Sequence, residues 1–343
     1  MKRTAPAFWW WPRRGLAAAL LAPVGFVYGR IAGRRMLQAP AGRASVPVVC
    51  IGNFVVGGSG KTPFALRLGD RLKAAGRAPV YLLRGYGGRL TGPVVVNPDV
   101  HTSEDVGDEA FLLARVAPTV VSADRVAGAR LATEIGAGLI LMDDGFQNPA
   151  LHKDLSVALV DAAVGVGNGL CLPAGPLRAP LRTQIVKADV LVVVGEGGRA
   201  EPVVHLAARR GLPLFHARLV ARDGDRLAGE RVFAYAGLGR PEKFFKTLAD
   251  LGAEVVERRA YPDHHAFTEH EASELITAAE AQGLQLVTTA KDMARLQATA
   301  GEYYRWLAAR SLVLKVDMAI DGEDRLLDLI AEAARRRLFR ASV

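Results

Sequence analysis

A short run, Gly57-Gly58-Ser59-Gly60-Lys61-Thr62, combines a flexible loop with one cation and one hydroxyl. It follows an apolar stretch at residues 46–51 and precedes a helical pattern that begins at Pro63. Backbone N–H groups of such a loop point inward and cradle phosphate oxygens, helped by the N-terminus of the following helix. Lys61 then offsets charge on the β and γ phosphates, and Thr62 offers a hydroxyl to magnesium. The pattern predicts a site for ATP with Mg2+ on Gly57, Gly58, Ser59, Gly60, Lys61 and Thr62. Val55 stands where the strict G-x-x-x-x-G-K-[ST] motif has its first glycine, and Gly57 and Gly58 supply the flexibility instead. A glycine turn with no ligand is the competing reading, and the Lys-Thr pair after Gly60 disfavours it.

Residues 139–142 are apolar and end in two acids, Asp143 and Asp144. At a strand end downstream of a phosphate loop, a carboxylate reaches magnesium directly or through water. Successive residues there point different ways, so two acids can divide the work. An isolated Asp-Asp would be a solvated turn; the upstream loop turns the reading toward a metal site on Thr62, Asp143 and Asp144. Gly107-Asp108-Glu109 precedes a helical run, and Asp263-His264-His265 lies far downstream. Alone, Asp108 reads as a helix N-cap and His264 as a surface histidine. Phosphoryl transfer to an alcohol gives them a use. The hydroxyl must lose a proton, and a carboxylate oriented by a histidine can take it.

Apolar runs at residues 46–51, 79–83, 119–122, 138–142, 156–160 and 190–194 alternate with helical patterns such as 63–75. Buried strands separated by helices predict an α/β fold: a P-loop NTPase-like, mostly parallel sheet with helices on both faces. The pattern changes near Phe215. A smaller α/β unit follows, with strands at 232–236 and 284–289 around a helix at 241–251. An amphipathic helix at 326–338 returns toward the core. The expected organisation is a membrane-surface segment at 1–40, a core at 41–215, a smaller lobe at 216–320 and a C-terminal helix at 321–343.

Residues 1–40 have their own character. Phe8, Trp9, Trp10 and Trp11 precede Arg13 and Arg14, and an apolar stretch at 15–29 leads to Arg30, Arg34 and Arg35. That stretch falls short of the about 20 residues a spanning helix needs and contains Pro23. Tryptophans ahead of the apolar region do not suit a signal peptide. Leu16, Leu20, Val24, Val27 and Ile31 recur at helical spacing, and flanking tryptophans and arginines suit the lipid headgroup layer. A helix lying in the membrane interface is preferred over one packed as an ordinary element of the domain.

The 343 residues carry a net charge of +9, and half of them are apolar, which excludes a disordered chain. The excess positive charge suits an anionic membrane or a phosphorylated substrate. Beyond the N-terminus the basic residues form no cluster with interleaved aromatics, so nucleic acid is not expected. Cys50 and Cys171, with no CxxC pair, predict neither a disulfide framework nor zinc, and fit a reducing compartment.

Taken together the motifs resemble the tetraacyldisaccharide 4′-kinase family, the lipid A 4′-kinases. The resemblance is carried by Gly52-Asn53, the run from Gly57 to Pro63, Arg84-Gly85-Tyr86-Gly87, Val106-Gly107-Asp108-Glu109 and Asp124-Arg125. It continues through Asp143-Asp144-Gly145-Phe146-Gln147, Leu172-Pro173-Ala174-Gly175-Pro176-Leu177-Arg178, Gly237 with Pro241 and Phe244, Asp263-His264 and Thr289-Ala290-Lys291-Asp292. It implies transfer of the ATP γ-phosphate to the 4′-hydroxyl of an acylated glucosamine disaccharide 1-phosphate lipid. It also implies a monotopic protein on the cytoplasmic face of the inner membrane, with the smaller lobe joined by a two-stranded hinge. No obligate protein partner is inferred. Asp108 matches the family's base and His264 its helper; His265 is the other choice, and spacing from Asp263 favours His264. Tyr86, Arg125 and Arg178 match positions near phosphate or substrate. The family often has His where this chain has Asn148, and Glu where it has Ala179, so no role passes to those two.

Two rivals stand beside this reading. A membrane-associated switch or partitioning ATPase would carry a lysine where Val56 stands. A non-enzymatic nucleotide-binding module would leave Asp108 and His264 idle.

Overall fold

The computed structural model describes residues 5–341 except Pro12, Asp223, Arg240, Asp263 and His264, with side chains through Arg337. In chain order the strands are β1 (Val48–Asn53), β2 (Pro79–Leu83), β3 (Val94–Val95), β4 (Thr119–Val121), β5 (Leu139–Asp143), β6 (Leu155–Asp161), β7 (Val190–Val194) and β8 (Leu214–Ala221). They continue with β9 (Arg231–Ala236), β10 (Glu254–Ala260), β11 (Gln285–Thr289), β12 (Ser311–Leu314) and β13 (Val316–Ile320). A large sheet has the order β13-β8-β7-β6-β1-β5-β2-β4-β3, and a small one β10-β9-β11-β12. Strands β1, β2, β4, β5, β6 and β7 are buried at every position, which is why they read as unbroken apolar runs.

Side chains alternate across the sheet into two cores. Val49 and Ile51 of β1 join Phe64, Leu68, Phe111 and Leu326 on one face, whereas Val48 and Cys50 join Ala129, Ile185 and Val203 on the other. β1 lies between β5 and β6, both parallel to it. After β5 the chain crosses to the opposite side of β1, and the crevice at such a switch point is where α/β sheets bind ligands.

The predicted strands at 79–83 and 190–194 are found at those bounds, and the others shift by one or two residues. The helix expected from Pro63 begins at Lys61, because Gly60 adopts φ 83° as its cap. Pro63 is tolerated in the first turn, where no N–H partner is required. The expected change at 215/216 falls inside β8, which is hydrogen-bonded to β7 in the large sheet. The chain leaves that sheet only after Ala221 and returns as β13, antiparallel to β8. Both crossings thus run through one two-stranded ladder.

The N-terminal helix corrects two sequence expectations. It runs unbroken through Pro23 as Leu16–Met36, 21 residues, so it is not too short to span a membrane by length. Trp9 is buried rather than placed for a headgroup layer, and its indole N–H donates to the Pro173 carbonyl at 3.0 Å. The helix packs on the domain through one face and exposes an apolar one on the other. Ala18, Gly25, Gly29 and Gly33 form a buried stripe. A Cβ at Gly25 would lie 2.8 Å from the Cys171 carbonyl oxygen, and one at Gly29 would lie 2.8 Å from Cys171 Sγ. Leu16, Leu20, Val24, Val27 and Ile31 point away, each more than half exposed.

The helix Lys61–Ala74 sits on the sheet through an equally close approach. Tyr81 donates its hydroxyl to the Ala65 carbonyl at 2.9 Å, and a Cβ on Gly69 would fall 1.8 Å from that hydroxyl oxygen. Gly69→Ala should cost about 1–3 kcal/mol of stability in denaturant unfolding. Adding Tyr81→Phe should recover part of the loss; an unchanged midpoint for Gly69→Ala would contradict this packing.

Candidate active site

Between β1 and the helix Lys61–Ala74 the chain leans on a second segment. Val55 forms an antiparallel bridge with Leu177. Val56 N–H donates to the Pro176 carbonyl at 2.9 Å, and Arg178 N–H donates to that of Phe54 at 3.1 Å. This support stands where the strict motif has its first glycine. Gly57 adopts φ 111°, and a Cβ at Gly57 or Gly58 would meet nothing within 4 Å, so the loop is open on one side. Asn53 Oδ1, Ser59 Oγ and Asp143 Oδ1 are buried atoms with no hydrogen-bond partner in the protein. Unmet polar atoms gathered at one loop mark the place of a polar ligand. A hydroxyl donor and two carbonyl-type acceptors fit phosphate oxygens together with a hydrated cation.

Charge is concentrated beside that opening. Lys61 Nζ lies 3.6 Å from Asp144 Oδ1, and Arg178 donates to the same oxygen at 2.7 Å. Burial alone would raise Asp144, but Lys61 and Arg178 outweigh it and hold the carboxyl down at about 2. Asp143 is pushed up to about 7, first by burial and then by Asp144 and Glu109, against the opposing pull of Lys61. Burial lowers Lys61, and Asp144 counters it. Two adjacent acids are therefore pushed apart in acidity. Asp144 is the permanent counter-ion of Lys61 and Arg178. Asp143 has the more to gain from a cation, and Thr62 lies buried at the start of the helix. Asp144 also holds φ 53°, a left-handed conformation that Asp tolerates better than most residues.

Behind the loop runs a chain of amides. Gln184, fully buried, donates to the carbonyls of Phe54 at 3.0 Å and Ala179 at 2.6 Å. Gln147 donates to Gln184 Oε1 at 2.8 Å and to the Asn53 carbonyl at 2.7 Å, and Arg178 reaches Gln147 Oε1 at 3.3 Å. Gln147 lay within the Asp-Asp-Gly-Phe-Gln run. Gln184 was missed, and a lone glutamine in a short helix carries no signal of its own.

Asp108 opens the helix Asp108–Ala114 and is buried. Arg295, from the small-sheet lobe, donates to its Oδ2 through Nε at 2.9 Å and Nη2 at 2.6 Å. Glu109 pairs with Lys291 at 2.8 Å and is near enough for its charge to raise both Lys61 and Asp143. The Tyr86 side chain is 74% exposed, and its carbonyl packs against Gly107, one residue before Asp108. Arg125 is buried, donates to the Ser122 carbonyl and is lowered first by burial and then by Arg84. His265 stacks on Tyr261 with ring centroids 4.7 Å apart and bonds Glu271 at 2.9 Å, an arrangement that ties it into the smaller lobe's own packing. Asp263 and His264 lie outside the described residues.

A glycine-rich loop between a central parallel strand and a helix, with a nearly buried lysine and a strand-end acid pair, defines a phosphate-loop nucleotide-binding protein of the α/β class. The profile of the tetraacyldisaccharide-1-P 4′-kinase family (LpxK) matches residues 17–335. The tetraacyldisaccharide 4′-kinase of Methylorubrum extorquens strain PA1 is 51% identical over 328 residues, 96% of this chain and 98% of that one. That of Methylobacterium radiotolerans is 50% identical over 333 residues, 97% of each. The crystal structure of the apo form of LpxK from Aquifex aeolicus in complex with ATP superposes with a TM-score of 0.71 at 29% identity, covering 93% of this chain and all of that one. The chain belongs to the tetraacyldisaccharide 4′-kinase family.

The amide chain behind the loop has a measurable consequence. Gln184→Leu takes the side-chain donor from the Ala179 carbonyl and leaves the Phe54 carbonyl with only the Arg178 N–H and the Gln147 amide with only the Asn53 carbonyl, at about 1–3 kcal/mol for an orphaned buried group. Chemical denaturation should show that loss, and ATP binding should weaken alongside it. Unchanged stability would mean that water replaces the side chain without cost.

Proposed function

We propose that this chain transfers the γ-phosphate of ATP to the 4′-hydroxyl of a tetraacylated glucosamine disaccharide 1-phosphate, giving lipid IVA in lipid A biosynthesis. The observation that carries this reading, beyond family membership, is the double use of residues 171–183. On one side Cys171 lies against Gly29 and Pro180 against Gly33, under the helix with the exposed apolar face. On the other side Leu177 and Arg178 brace the phosphate loop and hold Asp144. A nucleotide site joined directly to an apolar surface suits an acceptor that is itself a lipid.

The residues divide the reaction among them. The loop from Gly57 to Thr62 holds the phosphates, and Lys61 offsets their charge. Thr62 and Asp143 are the residues that would hold Mg2+, which supplies further charge neutralisation when bound; few protein ligands suit a cation that keeps its waters. Asp144 keeps Lys61 and Arg178 in place. The acceptor oxygen bonds to the γ-phosphorus as the bond to the ADP oxygen breaks, and Asp108 takes the hydroxyl proton. His264 assists Asp108. Arg178 and Tyr86 serve the acceptor and its phosphate at the surface, whereas Arg125, buried against the Ser122 carbonyl, acts on them through its charge.

The membrane-facing helix abuts the protein from Ala18 to Met36. Spanning would carry residues 171–183 into hydrocarbon together with Arg178 and Arg182, so the helix lies in the interface of the cytoplasmic leaflet.

Incubation with γ-labelled ATP, Mg2+ and a monophosphorylated acylated disaccharide should yield a labelled lipid, and Lys61→Ala should reduce the yield on the order of 100-fold or more. Near-normal labelling by that variant would remove the assignment. Leu20→Glu with Val27→Glu, on exposed positions, should release the protein from anionic vesicles in sedimentation while nucleotide binding stays intact. Unchanged sedimentation would contradict the docking face.

A further inference from the structure

Gly237 and the Thr289-Ala290-Lys291-Asp292 run belong to the smaller lobe, and their polar groups converge on Arg295. Thr289 N-caps the helix Ala290–Ala298, accepting from Asp292 N–H at 3.2 Å and donating to Asp292 Oδ2 at 2.6 Å. Asp292 Oδ1 accepts from Gly237 N–H at 3.1 Å and from Arg295 Nη1 at 2.7 Å. The same Nη1 donates to the Gly237 carbonyl at 3.1 Å. The rest of the guanidinium, Nε and Nη2, forks onto Asp108 Oδ2 in the other lobe. Asp108 and Arg295 are each 7% exposed and Asp292 is fully buried.

We propose that Arg295 is a positioning residue for phosphoryl transfer: the smaller lobe uses its guanidinium to hold the Asp108 carboxylate in the orientation that takes the acceptor's proton. This rests on the reading of Asp108 as the base. Stability alone explains the cluster poorly, because a buried ion pair returns little more than its desolvation costs and an apolar contact would serve as well. Docking of the same two helices already has the Glu109–Lys291 pair. The fork has features that positioning needs. Both N–H groups fall on one oxygen, Oδ2, which fixes the carboxylate rotamer. A guanidinium stays protonated throughout and so cannot compete for the transferred proton. Asp292 and Gly237 then fix the guanidinium in turn. A Cβ at Gly237 would stand 2.9 Å from Asp292 Oδ1 and 3.2 Å from Arg295 Nη1, so glycine is what lets this support close up.

The test compares lipid phosphorylation by full-length Arg295→Gln, Arg295→Lys, Gly237→Ala and Asp108→Asn proteins, and by Arg295→Gln and Gly237→Ala each combined with Asp108→Asn. Arg295→Gln should lower kcat about 30-fold or more with the KM for ATP changed less than about threefold, and Arg295→Lys should restore part of it. Gly237→Ala should lower kcat less, in the same KM-independent way, and it carries the test if Arg295→Gln does not fold. In the Asp108→Asn background neither change should alter the residual rate by more than about twofold, because both act through the same carboxylate. Wild-type kcat in Arg295→Gln, or in Gly237→Ala should that variant carry the test, would overturn the inference. So would losses that multiply undiminished in the Asp108→Asn background, which belong to a merely structural contact. Full activity of Asp108→Asn itself would instead remove the base assignment, and this inference with it.

Discussion

Lys61 is nearly buried, and a lone ammonium there would lose several kcal/mol of hydration. Keeping it charged requires a carboxylate within reach that stays ionised, and Asp144 meets that need because Lys61 itself and then Arg178 hold it down. The arrangement of the site follows from this triad. Asp144 is spent on the lysine, so Asp143 is left as the acid that a cation can use. Arg178 must come from somewhere rigid, and the segment that carries it is pinned to Phe54 and Val56 on the phosphate loop.

That same segment underlies the N-terminal helix. The glycine stripe of the helix lets it lie against Cys171 and Pro180, so the apolar face and the nucleotide loop are separated by one layer of chain. An apolar face and a phosphate loop thus share one supporting segment, with no long path between them. On the opposite side the smaller lobe approaches through helices 108–114 and 290–298, where two ion pairs meet. Lys243 of that lobe also pairs with Asp161 at the end of β6. The smaller lobe thus meets the core through charged pairs at both places.

Much of this was legible in the sequence because strands buried on both faces leave unbroken apolar runs, and the phosphate loop punctuates them with glycines. Lys61, Asp143, Asp144 and Arg178 were named from motifs and lie together. The helix Leu16–Met36 was misjudged because Pro23 counts as a breaker in isolation, whereas glycines facing the protein body give this helix a packed stripe through that point. The buried place of Trp9 depends on the Pro173 carbonyl, 164 residues away, which no local pattern reveals. Gln184 and Arg295 stayed hidden for the same reason: each matters through long-range hydrogen bonds, and neither stands in a conspicuous run. The position of β8 was blurred because its first half alternates between exposed and buried and its outer half is exposed or half-buried throughout.

The central claim is that the nucleotide site serves a lipid acceptor rather than water. It is tested most directly by measuring ADP release by the intact protein on vesicles, with and without a monophosphorylated acylated disaccharide, and counting phosphorylated lipid in the same sample. The account predicts that turnover depends on the lipid and that one lipid is phosphorylated for each ADP formed. ADP released at the same rate without the lipid, with phosphate appearing free in solution, would contradict it.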